Sequence, residues 1–146
     1  MSESIVVGTD GSETAERAVD EAIRLAKALD AEIHIVSAYE SAQGAKIVGA
    51  PEGAAKVWAP LPDTIVNTTV DQAAAKVRTR GVGVKTHAVQ KDAADALLQV
   101  AEEVGANMIV VGSRGMHGAR RVLGSVPNKI SHRAPCNVLI VATDRA

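Results

Sequence analysis

The stretch that decides the fold is SIVVGTDGSETAERAVDEAIRLAKALDAEIHIVSAYE, residues 4–40. It opens with a short β-branched run that ends at Gly8, which is typical of a buried strand. Ser12 then predicts a helix N-cap, and apolar residues recur every ~3.6 positions up to Leu29, as in a helix packed on one face. The almost continuously apolar residues 31–40 follow, and they predict a parallel strand covered on both faces.

The same alternation continues along the chain after residues 41–62, where scattered glycines and prolines predict an irregular excursion. Three further strands are predicted from short apolar runs: residues 83–90, 107–112 and 137–143. Helical spacing, with Gly81, Asp92 and Gly105 as end signals, predicts three more helices: residues 63–80, 93–104 and about 125–132.

This order of elements predicts an α/β fold with an open five-stranded parallel sheet and helices on both faces. Because crossovers between parallel strands are right-handed, the sheet should wind in two directions from its first strand, in the order 3-2-1-4-5. The length of 146 residues predicts a single domain spanning residues 1–146.

The composition excludes several classes of function. With no Phe, one Trp and one Tyr, the core must consist of Val, Ile, Leu and Ala, and base stacking on single-stranded nucleic acid is disfavoured. A net charge of −1 gives no basic surface for DNA or RNA. No apolar run approaches the ~18 residues of a membrane span, and the single cysteine, Cys136, suits a reducing compartment. We therefore expect a soluble cytoplasmic protein without nucleic-acid or membrane partners.

Between the fourth predicted strand and the last helix lies VVGSRGMHGARRVLGSVPNKIS, residues 110–131, with four glycines and three arginines. Gly112 and Gly115 lack a Cβ atom, so their backbone N–H groups can approach an anion closely. Gly124 and Ser125 open the next helix, whose first N–H groups and dipole favour negative charge. The loop therefore predicts a phosphate cradle, although glycines that merely serve as turn residues remain an alternative.

Ligands of such sheets bind beyond the carboxyl ends of the strands, where the strand order reverses. If the first and fourth strands are neighbours, Asp10 and Ser113 share that crevice with the glycines. Arg114, Arg120 and Arg121 are candidate phosphate contacts. Neither G-x-x-x-x-G-K-[ST] nor G-x-G-x-x-G occurs, so a P-loop and a dinucleotide-binding turn lose their sequence support.

The segments VVGTDGSETAERAVDEAIRLA and IVVGSRGMHGARRVLGSVPNKISHRAPCNVLIV closely resemble the universal stress protein (UspA) family, over essentially the whole chain. The resemblance implies a Rossmann-like (HUP-type) fold and an adenine-nucleotide (ATP)-binding regulator of the stress response. One branch of the family binds ATP through a G-x2-G-x9-G-[ST] signature. Here eight residues, 116–123, replace the nine before the third glycine, which leaves AMP or cAMP open as the ligand.

By the same resemblance, Gly8 and Thr9 flank Asp10, which is expected near the nucleoside or a bound Mg²⁺ ion. Ala38 matches a position whose backbone recognises the adenine edge, and Val111 matches one beside the ribose. The remaining implied nucleotide-binding positions lie toward the phosphates: Gly112, Ser113, Arg114, Gly115, Gly124, Ser125 and Val126.

At most slow ATP hydrolysis is expected, because no general base or second carboxylate is evident near the phosphate end. His34, His87 and His132 lie on different predicted elements without metal-ligand spacing, and a lone loop histidine such as His117 is typically solvated. The sequence thus favours a nucleotide-binding regulator. A weak ATPase or autokinase and a nucleotide-independent interaction protein are the alternatives.

The last predicted strand, NVLIVAT at residues 137–143, is apolar and would expose an edge of the sheet. An uncovered edge of this kind promotes aggregation, and antiparallel pairing with a second copy in a twofold dimer would cover it. The resemblance also implies a homodimer, because many family members dimerise through this strand. Protection by the tail at residues 144–146 is the alternative.

Overall fold

The computed structural model describes residues 3–39, 61–113 and 125–142. Strands and helices alternate in the order β1 (Glu3–Gly8), α1 (Glu13–Leu29), β2 (Ala31–Ala38), α2 (Leu61–Thr79), β3 (Val84–Val89), α3 (Ala93–Val104), β4 (Met108–Gly112), α4 (Ser125–Arg133) and β5 (Asn137–Val141). The predicted strands and helices are all present, with small shifts at their ends.

One predicted boundary is wrong. The irregular excursion was expected to reach Pro62, but α2 already begins at Leu61. Proline is tolerated in the first turn of a helix, where its missing N–H would have no intrahelical partner. The rest of the predicted excursion lies outside the described residues.

The five strands form one parallel sheet in the order β3-β2-β1-β4-β5, which confirms the predicted strand order. In the central strand, Val7 is aligned with Ile35 of β2 on one side and with Val110 of β4 on the other. After β1 the chain adds β2 and β3 toward one edge of the sheet, and it then returns to add β4 and β5 toward the other edge. The strand order therefore reverses between the carboxyl ends of β1 and β4.

The helix ends follow local side-chain chemistry. Ser12 caps α1 by accepting a hydrogen bond from the amide of Ala15 at 3.2 Å, and Asp92 caps α3 through the amide of Asp95 at 2.9 Å. Both caps confirm the sequence prediction. At its other end, α1 stops at Asp30 with φ 57°, a left-handed conformation that Asp adopts more readily than most non-glycine residues.

Two apolar layers hold the helices on the sheet, and alternate residues of each strand enter opposite layers. Ile5 and Val7 of β1 pack with α1 and α2 on one face. Val6 packs on the other face with α3 and with Ile130 of α4. The buried apolar residues of both layers are Val, Ile, Leu and Ala, as the composition requires. Within the described ranges, no helix has the length and apolar character needed to cross a bilayer.

Candidate functional site

An open pocket of about 780 Å³, part of it solvent at its mouth, lies where the strand order reverses. The carboxyl ends of three strands line it: Gly8, Thr9, Asp10, Val36, Ser37, Ala38, Val111 and Gly112. Residues near the N-termini of three helices complete the lining: Ser12, Thr14, Ala15, Ala18, Ala93, Leu97, Val126 and Pro127.

The turn after β1 fixes an acidic side chain at the exposed rim of this pocket. The amide of Thr9 donates to the carbonyl of Val36 at 2.9 Å, which ends the pairing of β1 with β2. The hydroxyl of Thr9 accepts from the amide of Gly11 at 3.1 Å, and Oδ1 of Asp10 accepts from the amide of Ser12 at 2.9 Å. Gly11 has φ +84°, which glycine adopts without a steric penalty. The tight turn thus presents the Asp10 carboxylate at the pocket.

The end of β2 directs backbone polar groups toward the pocket. Successive residues of a strand point their N–H and C=O groups to opposite neighbours. Val36 bonds toward β1, because its carbonyl accepts from Thr9, and Tyr39 bonds toward β3, because its amide donates to Val89 at 2.9 Å. The N–H and C=O of Ala38 therefore point toward the side of β1, at a level where β1 has already ended. A donor and an acceptor face the pocket there.

The N-termini of α1 and α4, which lie near the point where the strand order reverses, differ in charge. The first turn of α1 carries Glu13 and Glu16, whereas that of α4, residues 125–128, has no acidic residue. The unpaired N–H groups and the dipole at a helix N-terminus attract anions, and neighbouring carboxylates oppose this attraction. The α4 end of the pocket is therefore the more favourable place for a negatively charged group.

A pair of ionic contacts ties this end of α4 to α3. Lys129 places its Nζ 2.9 Å from Oδ1 of Asp95 and 3.6 Å from Oδ2 of Asp92. The hydrogen bond from Lys129, followed by one involving Asp92, lowers the pKa of the Asp95 carboxyl below its ordinary value of 3.8. Ala93 of α3 and Val126 of α4 both line the pocket, so these contacts join the two helices that border its α4 end.

The pattern of residues along the chain matches a known family: the Universal stress protein family model fits residues 1–142. The chain belongs to the universal stress protein family. Universal stress protein Rv1636 of Mycobacterium tuberculosis is 38% identical over an alignment of 148 positions, which covers 96% of this chain and 96% of that protein.

Solved universal stress proteins share the fold. One that was crystallised in complex with cAMP is 31% identical, with a TM-score of 0.72 over 97% of this chain and 98% of that one. UspA from Lactobacillus plantarum, at 22% identity, has a TM-score of 0.78 over 95% of this chain and 97% of its own. The second similarity concerns the fold alone.

For this universal stress protein, the structure brings seven of the predicted site residues to one pocket: Gly8, Thr9, Asp10, Ala38, Val111, Gly112 and Val126. Ser113 and Ser125 are not among the lining residues. The amide of Ser113 donates to the carbonyl of Val141 at 2.7 Å, so it extends the β4–β5 ladder, and the role of Ser113 toward a nucleotide stays a prediction. Arg114, Gly115 and Gly124 lie outside the described residues, and their roles stay predictions.

The structure adds lining residues that sequence reasoning missed, chiefly Thr14, Ala15 and Ala18 of α1 and Ala93 and Leu97 of α3. No motif marks them, because small and apolar side chains on a helix are equally typical of core packing. Only the positions of α1 and α3 on opposite faces of the sheet bring these residues to the same pocket.

Two of the histidines are in contact, although they lie on different elements as the sequence predicts. His34 of β2 and His87 of β3 lie side by side, with Nδ1 of His34 3.0 Å from Nε2 of His87. Strands distant in sequence became neighbours when the sheet formed, which spacing along the chain does not reveal. In the described part of the chain, no three or more His, Cys, Asp or Glu side chains are grouped so as to hold a metal ion.

Proposed function

We propose that this universal stress protein binds an adenine nucleotide in the pocket between β1, β2 and β4 and acts as a nucleotide-dependent regulator in the stress response. The observation that carries the proposal is the junction, in one pocket, of three strand ends with the N-terminal turn of α4. A related chain, 31% identical, has been solved with cAMP, which is consistent with an adenine nucleotide as the ligand.

The two ends of the pocket suit different parts of a nucleotide. The backbone donor and acceptor of Ala38 match the paired hydrogen-bonding groups of an adenine edge, and apolar Val111 lines the same pocket from β4. Phosphates fit the α4 end near Val126, where no acidic residue of the first helical turn opposes them. The glycines and arginines of the loop before α4 would complete this phosphate site.

Asp10 would serve as one of the ligands of a bound Mg²⁺ ion. This ion is commonly held by one or two carboxylates together with phosphate oxygens and water. One Asp10 oxygen accepts from the amide of Ser12, and the carboxylate keeps further lone pairs, chiefly on its second oxygen, with which it would bind the ion. ATP with Mg²⁺, AMP and cAMP are all compatible with this arrangement.

Binding is favoured over phosphoryl transfer by the chemistry of the lining. Among the described residues that line the pocket, Asp10 has the one acidic or basic side chain. Phosphoryl transfer needs a positioned nucleophile or base in addition to metal and charge stabilisation, and Asp10 would have to supply both the metal ligand and the base.

Native mass spectrometry of the purified protein, followed by denaturation, tests the proposal by identifying any carried nucleotide. Titration calorimetry with ATP, AMP and cAMP then gives the affinities. Ala38→Phe should abolish binding, because a large side chain would fill the adenine end of the pocket. Ala28→Phe, on the exposed face of α1, is the matched control and should bind normally. A folded wild-type protein that binds none of the three nucleotides at millimolar concentration would refute the proposal.

We also infer a homodimer that forms through β5. This strand is at the edge of the sheet, and residues 138–141 remain partly exposed although all four are apolar. The carbonyl of Val141 points to β4, where it accepts from Ser113, so the backbone groups of Val138 and Ile140 point to the open edge. Antiparallel pairing with a second copy would bond these groups and cover the apolar side chains.

A further inference from the structure

Two histidines meet in the sheet away from the pocket. His34 of β2 is 4% exposed, and its Nδ1 lies 3.0 Å from Nε2 of His87 on the edge strand β3. The ring centroids are 5.2 Å apart and the ring planes are inclined by 34°. The contact is therefore an in-plane hydrogen bond between nitrogens rather than a stacked pair.

The neighbouring carboxylate assigns the hydrogens of the neutral pair. Nε2 of His34 lies 3.3 Å from Oε1 of Glu32, and a carboxylate only accepts, so this nitrogen carries the hydrogen. Nδ1 of a neutral His34 is then bare and accepts from Nε2–H of His87. The result is a chain in which His87 donates to His34 and His34 donates to Glu32.

Three elements place a charged side chain near the two histidines: β2, β3 and α3. Glu32 approaches from β2 and Lys85 from β3, with Lys85 Nζ 3.9 Å from Oε1 of Glu32. Glu103 of α3 acts electrostatically on His87. From β1, the residue aligned with His34 is the apolar Val6. The pair thus lies between a buried apolar side and an outer side that carries charges of both signs.

Protonation disfavours this arrangement. Burial lowers the pKa of His34, the neighbouring His87 lowers it further, and Glu32 opposes both effects. Burial also lowers the pKa of His87, and Glu103 opposes that shift. One added proton leaves the N–H···N bond intact, because one ring nitrogen of the pair can still accept. A second proton leaves both facing nitrogens as donors and sets two cations side by side.

We propose that the His34–His87 pair is a proton-responsive contact that holds β3 on β2 at neutral pH and opens in mild acid. His34 is enclosed, whereas His87 is half-buried on an edge strand. The ring that moves is therefore His87, which turns outward toward solvent and Glu103 after the pair takes up its second proton from water. The carboxyl-terminal half of β3 loses its side-chain anchor to β2.

The movement of His87 affects the pocket because β3 is paired with β2, which lines the pocket. His87 is aligned with Val36, and Val89 with Ala38; Val36 and Ala38 both line the pocket. Displacing His87 therefore disturbs the strand that supports the proposed adenine end. This coupling rests on the proposed nucleotide function: acid should weaken nucleotide binding by at least about fivefold, the lower end of typical coupling between two sites.

The direction of the stability change follows from proton linkage. Both histidines bind protons less readily in the folded chain than in the unfolded chain, whose ordinary histidine pKa is 6.5. The unfolded state therefore takes up more protons as the pH falls through and below that value, and folding stability falls with it. The stability is complete above this range, where the rings are neutral in both states.

The first test follows the histidine rings of the wild-type protein by NMR during an acid titration. We expect the two rings to titrate in a coupled manner at pH values below the ordinary 6.5. Independent titration of both rings at the ordinary value would overturn the proposal. This measurement needs no variant and no nucleotide, so it decides the matter even if every substitution fails to fold.

The second test compares urea unfolding at about pH 7.5 and about pH 5.5, where most carboxylates stay ionised. His87→Gln keeps a donor for His34 but does not titrate, so the acid-induced loss of stability should fall by roughly half or more. His132→Gln removes an exposed histidine of α4 and should leave the loss unchanged. Equal acid sensitivity of wild type and His87→Gln would contradict the proposal.

The third test measures cAMP affinity at the same two pH values, because the phosphodiester of cAMP does not titrate between them. Wild type should bind at least about fivefold more weakly at the lower pH, and His87→Gln should lose most of that difference. Equal affinity at both pH values would refute the coupling to the pocket. If cAMP fails to bind at either pH, cAMP is excluded as the ligand and the calorimetry with ATP and AMP decides the proposed function, while the NMR and unfolding experiments still decide whether the contact responds to protons.

Discussion

A Cβ atom on Gly8 would lie 3.2 Å from both terminal methyl carbons of Leu97. Gly8 ends the central strand, and Leu97 reaches it from α3 with only 3% of its surface exposed. Both residues line the pocket. Because Gly8 has no side chain, α3 can lie close to the sheet, and no side chain at this position fills the pocket.

Gly8→Ala should weaken nucleotide binding more than it weakens folding. Leu97 must move by a few tenths of an ångström, and the open pocket is the side on which it has room. Alanine also restricts the unfolded chain, which offsets part of the cost by about 0.4–1 kcal/mol. We expect the free energy of unfolding, measured in urea, to change by less than about 1.5 kcal/mol, with a clear loss of affinity by calorimetry.

The control is a double-mutant cycle with Leu97→Val, which removes one methylene from the side chain that the new methyl group would touch. The two substitutions should couple by about 0.5–3 kcal/mol in nucleotide affinity, as expected for residues in contact. Additive effects would show that Gly8 influences binding by another route than through Leu97.

Lys129→Gln should loosen the N-terminus of α4 and raise the pKa of Asp95, which Lys129 now lowers. A carboxyl pKa lowered by folding adds stability above its ordinary value of 3.8, and this contribution is lost as the pH falls through the folded value. The variant should therefore melt lower at neutral pH, by at most about 3 °C because the pair is exposed, and should match wild type near pH 2. Lys129→Arg keeps the charge and should restore the neutral-pH value.

Asp10→Asn should abolish any enhancement of ATP binding by Mg²⁺ while leaving the fold intact. The asparagine oxygen can still accept from the amide of Ser12, as Oδ1 of Asp10 does at 2.9 Å, so the turn is preserved. Calorimetry with and without Mg²⁺ gives the difference in affinity, and the stability in urea should change by less than about 0.5 kcal/mol. Persistence of the full Mg²⁺ effect in the variant would exclude Asp10 as a metal ligand.

Ile140→Pro should convert the proposed homodimer into a monomer. The backbone N–H of Ile140 points to the open edge of β5, so proline removes a bond of the dimer without removing one of the β4–β5 ladder. Ile140→Ala removes the same side chain but keeps the N–H, and it should remain dimeric. Light scattering coupled to size exclusion distinguishes the two states. A monomeric wild type, or a dimeric Ile140→Pro variant, would contradict the proposal.

Helix caps and strand runs were predictable because their causes are local. Ser12 and Asp92 bond amides three residues ahead, and the apolar periods match the buried faces of α1 and α3. The end of α1 was predictable, because the apolar period stops at Leu29 and the next strand begins at Ala31. The left-handed conformation of Asp30 was not, since glycine is the usual residue at such a cap.

The candidate site was predictable only where the chain carries a pattern. The glycine-bearing ends of β1 and β4 point to the crevice because parallel strands place their carboxyl ends at one edge of the sheet. The bonding of the Ser113 amide to Val141 was not predictable, because it depends on how far β5 extends beside β4.

The sequence by itself determined the order of strands and helices along the chain, because hydrophobic periodicity is a local property. Together with the handedness of the crossovers, this order determined a parallel sheet whose strand order reverses between β1 and β4. The tertiary structure decided which side chains meet. Leu97 beneath Gly8 and His34 beside His87 are separated by 89 and 53 positions. Contacts of this kind arise from strand register and from the approach of a helix to the sheet, and neither leaves a local mark on the residues that take part.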